Sequence, residues 1–551
     1  MAGTIRLVAS AGVAVLCAAG SATLAGQGPA VAESRIDQLF SSWSSTTPGC
    51  AIGVAEGGKT LLAKAYGMAD LDHDLPNRPD TIFEAGSVSK QFTAAAVLLL
   101  ARDGKLSLDD PARKYVPELP DYGTPLTIRQ MLAHTSGLRD WGSVASVAGW
   151  PRTSRVYTHA HVLDIVSRQR ALNFTPGTRW SYTNTGYNLA AIIVSRVSGT
   201  SFEDFTRARI FEPLGMTRTS WRTDHTRIVK GRALAYSRQA DGFHILMPFE
   251  NVYGNGGLLT TVEDLLKWNA NFAAPRVGDA AFVAQQEKAG TFSDGRPHLY
   301  AMGLQLETYK GLREIAHGGT TAGYSAYLAR FPDQGLSVAV LCNIAASQVN
   351  PTAVARSAAD LYLGDRLRPS ATPRQTYEPT AAELAARAGI YVNATGLNPV
   401  RIVVDGGSLR LQPGPVLLAL SNSTFTVSGA ERVTLDGNGH GTVTEASGAS
   451  EQLTRVPAAT PGREQLKAFE GTYVSDEAET TLTVALDGER LVAKRRPSSV
   501  IALTSLYVDG FEAQSLGTVL FRRDAGGRVS GLSTSSDRVW DLRFAKVSTP
   551  D

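Results

Sequence analysis

One short stretch constrains this chain more than any other, because it places a serine and a lysine three residues apart before a long apolar run. Ser87-Val88-Ser89-Lys90 precedes a run rich in Ala and Leu that ends at Leu100. Such residues favour a helix, and a serine at its start would have Lys90 one turn on and on the same face. The amine could then take the hydroxyl proton, while the helix N-terminus favours the developing negative charge. Taken alone, these four residues favour the simpler interpretation of a capping serine and a solvated lysine, and residues further along the chain are needed to reverse it.

Length and charge limit the possible classes of protein. The chain has 551 residues, which is too many for one core, so we expect two or three domains. With 43% hydrophobic and 19% charged residues, the composition is that of a soluble globular protein. A net charge of +3, without a basic run carrying interleaved aromatic residues, argues against a nucleic-acid partner.

The N-terminus has the pattern of an export signal. Arg6 is followed by the apolar stretch Leu7–Ala19 and then by small residues up to Ala32. We therefore predict a signal peptide over residues 1–32, cleaved after Ala32 or earlier near Ala25, and a secreted or periplasmic protein. An uncleaved anchor is the alternative. No later stretch is long enough to cross a membrane, so we expect no stable span after cleavage.

Two cysteines remain after removal of this signal, Cys50 and Cys342. In an exported protein such a pair could form a disulfide. Both also lie in apolar, strand-like runs, where free cysteine is a common core residue. Buried free thiols are the slightly favoured interpretation.

Residues 33–368 have the pattern of one α/β domain. Cys50–Glu56 and Thr60–Tyr66 predict a hairpin, and Tyr324–Phe331 and Leu336–Leu341 predict two further strands near the other end. The segments between them are mostly helical in pattern. Strands at both ends with helices between predict a sheet flanked by helices, with an all-helical insertion.

Composition changes after this domain, and the remainder of the chain contains an internal repeat. We predict a linker over 369–379, a β domain over 380–456, a second linker over 457–463 and a second β domain over 464–551. Gly389-Ile390-Tyr391-Val392 recurs as Gly471-Thr472-Tyr473-Val474, and Asp-Gly turns follow at matching offsets. Short alternating runs of this kind indicate two small antiparallel barrels or sandwiches, for structural support or substrate gating.

Two further stretches carry side chains suited to chemistry. The first is Tyr182-Thr183-Asn184 and the second is His317-Gly318-Gly319-Thr320. His134 could serve as a base, but the favoured interpretation is a histidine that holds its turn together, and no second metal ligand lies at a useful spacing. The glycine-rich loop around Asn255 lacks the Gly-Lys-Ser/Thr of a phosphate-binding loop, so we expect a tight turn packed near the active site. The sequence indicates no metal or organic cofactor.

Ser87-Val88-Ser89-Lys90, Tyr182-Thr183-Asn184 and His317-Gly318-Gly319 occur in the order found in the penicillin-recognising serine hydrolases. The chain resembles most closely the class C β-lactamase and S12 peptidase branch, over roughly residues 33–367. Two repeated β units behind such a domain are also similar to the architecture of the D-aminopeptidase members.

The resemblance implies roles for individual residues. Ser87 would form an acyl-enzyme, with Lys90 and Tyr182 sharing the role of general base. Tyr182 would need a neighbouring cation, for which Lys90 is the candidate, to favour its phenolate. Asn184 would hold the substrate amide. The strand that carries Gly318, Gly319 and Thr320 would line the cleft, and the N–H groups of Ser87 and Thr320 would form the oxyanion hole.

His317 departs from the β-lactamase pattern, in which a lysine occupies this position. A histidine is mostly uncharged near neutral pH, so we expect weaker selection for an anionic group beside the scissile bond. We therefore predict an exported serine hydrolase acting on a small molecule or short peptide, with a D-aminopeptidase or amidase as the first choice. The alternatives are a carboxylesterase or β-lactamase of the same fold, and a non-catalytic protein that binds peptidoglycan or β-lactams.

Overall fold

The computed structural model describes residues 29–368, 374–427, 431–445 and 450–547. Residues 1–28, which make up nearly all of the predicted signal peptide, lie outside the described residues, as does the start of the first predicted linker. Within the described ranges, no helix is both long enough and apolar enough to cross a membrane.

Eleven of the thirteen α-helices of the described chain lie within residues 29–368. The α-helices of the described chain, in order, are α1 Pro29–Leu39, α2 Lys90–Arg102, α3 Ile128–Leu132, α4 Trp141–Val147, α5 His159–Ser167, α6 Thr185–Ser198, α7 Phe202–Thr206, α8 Glu212–Leu214, α9 Val262–Ala273, α10 Ala280–Glu287, α11 Pro351–Leu363, α12 Ala381–Arg387 and α13 Arg463–Lys467.

A six-stranded antiparallel sheet forms the centre of the first domain. Its strands are β1 Cys50–Glu56, β2 Lys59–Tyr66, β3 Gln305–Tyr309, β4 Leu312–Thr321, β5 Tyr324–Phe331 and β6 Leu336–Cys342. Their order in the sheet is β3-β4-β5-β6-β1-β2, so the first and last parts of the domain meet between β1 and β6. The long insertion between β2 and β3 contains α2 to α10, and it also carries short strands such as Phe83–Glu84 and Leu258–Thr260.

Alternate residues of the sheet point into two separate apolar layers. On β1, Ala51 and Ala55 contribute to the core shared with α2, whereas Ile52 and Val54 contribute to the core shared with α1 and α11. This period of two is what a strand with both faces covered requires. The sheet is therefore sandwiched between helices, as the sequence predicted.

The preference for free thiols at the two cysteines is wrong. Cys50 and Cys342 are direct cross-strand partners on β1 and β6, and they form a disulfide across 292 residues of sequence. Two cysteines side by side on neighbouring strands lie within bonding reach. The apolar surroundings were correctly recognised, since both residues are completely buried.

The chain after residue 380 folds into two closed eight-stranded antiparallel barrels. The first contains β7 Gly389–Val392, β8 Val400–Asp405, β9 Ser408–Leu411, β10 Val416–Ala419, β11 Thr424–Thr426, β12 Arg432–Leu435, β13 His440–Thr444 and β14 Ser450–Val456. The second contains β15 Gly471–Ser475, β16 Thr480–Asp487, β17 Arg490–Arg495, β18 Ser499–Tyr507, β19 Gly510–Ala513, β20 Gly517–Arg523, β21 Val529–Ser535 and β22 Leu542–Val547. The prediction of two antiparallel β units, with barrels as one of its options, is confirmed.

The sequence repeat corresponds to the first strand of each barrel. Tyr391 and Tyr473 are both fully buried, and each hydroxyl donates a hydrogen bond to the carbonyl four residues earlier, at 2.8 and 2.7 Å. In the first barrel that carbonyl belongs to the last residue of α12, and in the second it lies two residues after the end of α13. The repeated tyrosine therefore ties the entry helix to the barrel in the same way twice.

The second barrel packs directly on the first domain. The Arg139 guanidinium, which is buried, donates to Glu477 at 2.6 Å and to the Trp540 carbonyl at 3.2 Å. From the other side, Arg495 donates to the carbonyls of Ser146 and Val147 at the end of α4. These contacts fix the barrel beside the insertion that carries the candidate site.

Candidate active site

Ser87 lies in a single 3₁₀ turn, Gly86–Ser89, that continues directly into α2. The turn and helix place Lys90 as the spacing predicted, and its Nζ donates to Ser87 Oγ at 3.1 Å. Every residue of α2 from Lys90 to Leu100 is buried, as expected for a helix that is apolar on all sides. The serine and lysine are thus held at the end of the most buried helix in the domain.

Lys90 is fully buried and has three oxygen partners. Besides Ser87, its amine contacts Asn184 Oδ1 at 2.9 Å and the Asn255 carbonyl at 2.8 Å. Burial, followed by the nearby positive charge of Arg538, lowers the pKa of Lys90 well below its ordinary value. A neutral amine beside a serine hydroxyl is chemically able to accept its proton.

Tyr182 faces the same lysine but does not have the expected charge. Lys90 Nζ lies 4.7 Å from the centre of the Tyr182 ring. Burial raises the pKa of Tyr182 to about 12, and its hydrogen bond with Ser87 offsets only part of this. The expectation of a phenolate is therefore wrong, because a buried phenolate would lose its hydration and the lowering effects of Ser87 and Arg538 do not compensate for this. Tyr182 is a phenol with a proton to donate.

His134 holds the backbone on which Tyr182 sits. Its carbonyl accepts from the Ser181 N–H at 3.0 Å and its Nδ1 accepts from the Thr183 N–H at 3.2 Å. The ring is completely buried, and burial lowers the pKa of His134 well below its usual value. This geometry fits the histidine that holds a turn together, which was the favoured of the two interpretations.

Strand β4 passes beside Ser87, and its second half has a partner strand on one side only. Pairing with β3 stops at Gln305 opposite Ala316, so His317–Thr321 pair only with β5 on the other side. A Cβ on Gly319 would lie 2.0 Å from the Ala85 carbonyl oxygen and 3.0 Å from Ser87 N. A Cβ on Gly86, where φ is +52°, would lie 2.6 Å from Thr320 N. Both glycines are needed for the N–H groups of Ser87 and Thr320 to lie near each other.

His317 is neutral, as the sequence predicted. Its Nδ1 contacts the Gly318 carbonyl at 2.6 Å, and its Nε2 contacts the Tyr300 hydroxyl at 2.9 Å. Since a carbonyl only accepts, Nδ1 carries the proton and Nε2 accepts from Tyr300. Burial, followed by the charge of Lys90, lowers the pKa of His317 to about 3. At this end of β4 the strand supplies no positive charge.

Three residues of the site were not found by sequence reasoning. Asn255 supplies the carbonyl that contacts Lys90, and its glycine-rich loop was expected near the site without a role. Asp140 caps α4 and accepts from the Asn184 N–H at 2.8 Å, which positions the partner of Lys90. Tyr300 fixes the His317 tautomer. None of the three belongs to a recognisable motif, so only the fold brings them to the serine.

These residues surround a cleft of about 870 Å³. One part of the cleft is lined by Ser87, Tyr182, Asn184 and the edge of β4. The rest of the wall includes residues from both barrels, namely Glu445, Asp537, Arg538 and Trp540. Within the described part of the chain, no group of three or more His, Cys, Asp and Glu side chains is arranged to hold a metal ion.

Fold and site together define a class. A serine and a buried lysine at the start of a central helix lie beside a strand edge, where the N–H groups of Ser87 and Thr320 are near each other, in a sheet covered by helices. The beta-lactamase family model matches residues 32–363, which is more than half of the chain. The chain belongs to the beta-lactamase family and is a serine hydrolase of that fold.

Individual relatives extend the similarity to the barrels. The D-aminopeptidase of Gluconobacter oxydans is 29% identical over 526 residues, covering 91% of this chain and 96% of that protein. A D-aminopeptidase of Cereibacter sphaeroides is 30% identical over 305 residues, covering 54% of this chain and 57% of that protein. The octameric penicillin-binding protein homologue from Pyrococcus abyssi matches with a TM-score of 0.55 and 25% identity, over 77% of this chain and 99% of the solved one.

Proposed function

We propose that the protein is an exported D-aminopeptidase or D-amino-acid amidase that works through an acyl-Ser87 intermediate. The observation that carries the chemistry is the 3.1 Å contact between Lys90 Nζ and Ser87 Oγ, with both groups beside Tyr182. The choice among hydrolases is supported by the D-aminopeptidase relative, whose similarity spans the barrels as well as the catalytic domain.

The site suggests how the acylation step would proceed. The neutral Lys90 amine takes the Ser87 proton as Oγ attacks the carbonyl carbon of the scissile amide. The N–H groups of Ser87 and Thr320 stabilise the oxyanion. Tyr182, a protonated phenol, donates its proton to the leaving amine and recovers one from Lys90, so that the acyl-enzyme forms with no net change in the protons of the site.

The acyl-enzyme is then hydrolysed by the same groups. The neutral Lys90 amine accepts the proton of the attacking water through the Tyr182 hydroxyl, which passes its own proton on as it receives one. Lys90 then returns a proton to Ser87 Oγ as the bond between Oγ and the acyl carbon breaks. Asn184 is proposed to hold the substrate amide through its side-chain NH₂, since its oxygen already accepts from Lys90. Gly318 and Gly319 leave the β4 edge open for the substrate backbone.

Two observations support the other parts of the proposal. The carboxylates of Glu445 and Asp537 line the cleft, and carboxylates are the natural partners of a free substrate amine. The disulfide between Cys50 and Cys342 supports export, because disulfides persist in oxidising compartments.

The test is a set of steady-state rates on D-alanine p-nitroanilide, its L-enantiomer, a p-nitrophenyl ester and a chromogenic cephalosporin, each with the wild type and Ser87→Ala. Turnover of the D-anilide that exceeds that of the L-anilide and disappears in the variant would support the proposal. Turnover of the ester alone would assign a carboxylesterase, and turnover of the cephalosporin alone a β-lactamase. Absence of any Ser87-dependent turnover would favour the non-catalytic binder.

A further inference from the structure

The loop between β21 and β22 of the second barrel, residues 536–541, lies inside the wall of the active-site cleft. The Arg538 carbonyl accepts from the Asp140 N–H at 3.1 Å and from Asn173 Nδ2 at 3.2 Å. Trp540 N donates to Asn173 Oδ1 at 2.9 Å. Because Asp140 also holds Asn184, the same aspartate connects the barrel loop to the partner of Lys90.

These backbone contacts direct the Arg538 side chain onto Tyr182. Its Cζ lies 4.9 Å from the centre of the Tyr182 ring, and the residue lines the cleft together with Ser87. Within the described residues, the Arg538 guanidinium has no ion pair and no side-chain hydrogen bond. Arg152, the other arginine of the cleft, is ion-paired with Glu250. Arg538 thus makes no ion pair with a described carboxylate, and its charge acts on the buried carboxylate of Asp140, whose pKa it lowers.

This cation lines the same cleft as the neutral end of β4. His317 stands where the β-lactamase pattern has a lysine, and it is neutral with both ring nitrogens occupied. The guanidinium instead approaches from the barrel side, stacked on the phenol that is proposed to protonate the leaving group. A planar guanidinium in such a place is suited to a carboxylate, which it binds with two parallel hydrogen bonds.

We propose that Arg538 binds a carboxylate on the leaving-group side of the substrate, so that the preferred substrates are short peptides with a free C-terminal carboxylate. The leaving group is then an amino acid or peptide rather than ammonia. The bond that is cleaved in this inference rests on the proposed function, whereas the binding of a carboxylate by Arg538 does not depend on it. It gives the second barrel a direct part in choosing the substrate.

The experiment compares two substrates that differ only in this charge, D-alanylglycine and D-alanylglycinamide. Values of kcat/KM are measured for the wild type, Arg538→Ala, Arg538→Lys and Arg528→Ala. Arg528 is the matched control, because it is an exposed arginine of the same barrel, paired with Asp524 and outside the cleft. Melting temperatures of all four proteins identify any loss of fold.

The wild type is expected to prefer D-alanylglycine by about tenfold or more, the range that a charge-assisted hydrogen bond supplies. Arg538→Ala should lower kcat/KM for D-alanylglycine about 10- to 100-fold more than for the amide, and Arg538→Lys should recover part of the preference. Arg528→Ala should keep it. Removing the charge near Lys90 affects both substrates alike, so the ratio of the two rates isolates the contact with the carboxylate.

An equal loss on both substrates, or no loss on either, would overturn the proposal. If the wild type cleaves no D-aminoacyl compound, the proposed function fails, and the anion is tested separately. The two peptides are then used as inhibitors of Ser87-dependent p-nitrophenyl acetate hydrolysis. Inhibition at least tenfold stronger by D-alanylglycine in the wild type, and lost in Arg538→Ala, would retain the Arg538 assignment, whereas equal or absent inhibition would reject it.

Discussion

Two neighbouring glycines on β4 offer a sharp test of the proposed oxyanion hole. In Gly319→Ala the new Cβ would start 2.0 Å from the Ala85 carbonyl oxygen, whereas in Gly318→Ala the nearest atom, on the Tyr327 ring, is 3.8 Å away. Neither glycine has a positive φ, so backbone strain does not distinguish the two variants. The difference between them is the contact with the turn that carries Ser87.

The size of the effect follows from that distance. Ordinary contact between a carbon and an oxygen is about 3.4 Å, so the strand and the turn must separate by more than about 1 Å. Such a shift moves Thr320 N away from Ser87 N, and the loss of one oxyanion donor costs about 10²- to 10³-fold in kcat, or about 3 to 4 kcal/mol. Gly318→Ala should cost less than about tenfold, because it only occupies space in the cleft.

The assay is Ser87-dependent hydrolysis of whichever chromogenic substrate the wild type turns over, with melting temperature measured beside it. A folded Gly319→Ala protein with kcat within about tenfold of the wild type would refute the assignment of Thr320 N. Similar losses in both variants would show that the strand edge matters for space rather than for its approach to Ser87.

Three further predictions concern pH, the disulfide and a buried carboxylate. Activity should rise with pH as Lys90 loses its proton. Arg538→Ala should move this rising limb of the kcat/KM profile to higher pH, because removal of a nearby positive charge raises the pKa of Lys90. A limb that did not move would contradict the influence of Arg538 on Lys90. Replacing both Cys50 and Cys342 with Ala should lower the free energy of unfolding by about 2 to 5 kcal/mol in urea titrations; unchanged stability would argue against the disulfide. Burial alone would raise the pKa of Glu84, but its two arginine partners hold that pKa below the usual range. The stability that the ionised Glu84 contributes is therefore present above its pKa in the unfolded chain, and it is lost as pH falls through its pKa in the folded protein. Glu84→Gln should therefore cost about 3 to 5 kcal/mol at neutral pH and less in acid, measured by chemical unfolding, and a cost that did not depend on pH would contradict this reasoning.

Local patterns were enough to predict much of this molecule. The helix after Ser87, the strands near each end of the first domain and the repeated entry to each barrel all depend on periodicity and turn residues within a few positions of each other. The placement of Lys90 beside Ser87 belongs to the same group, because three residues of a helical turn fix it.

What the tertiary structure decided depends on residues that are far apart in sequence. The register that pairs Cys50 with Cys342, and the burial that keeps Tyr182 a phenol, are both set by packing, which no local pattern reports. Arg538 lies 451 positions after Ser87 in a loop with no motif of its own, and only the docking of the second barrel brings it to the cleft. The sequence alone determined the reactive groups of this protein, and the fold decided their protonation and their neighbours, because charge and hydration depend on everything that packs around a group.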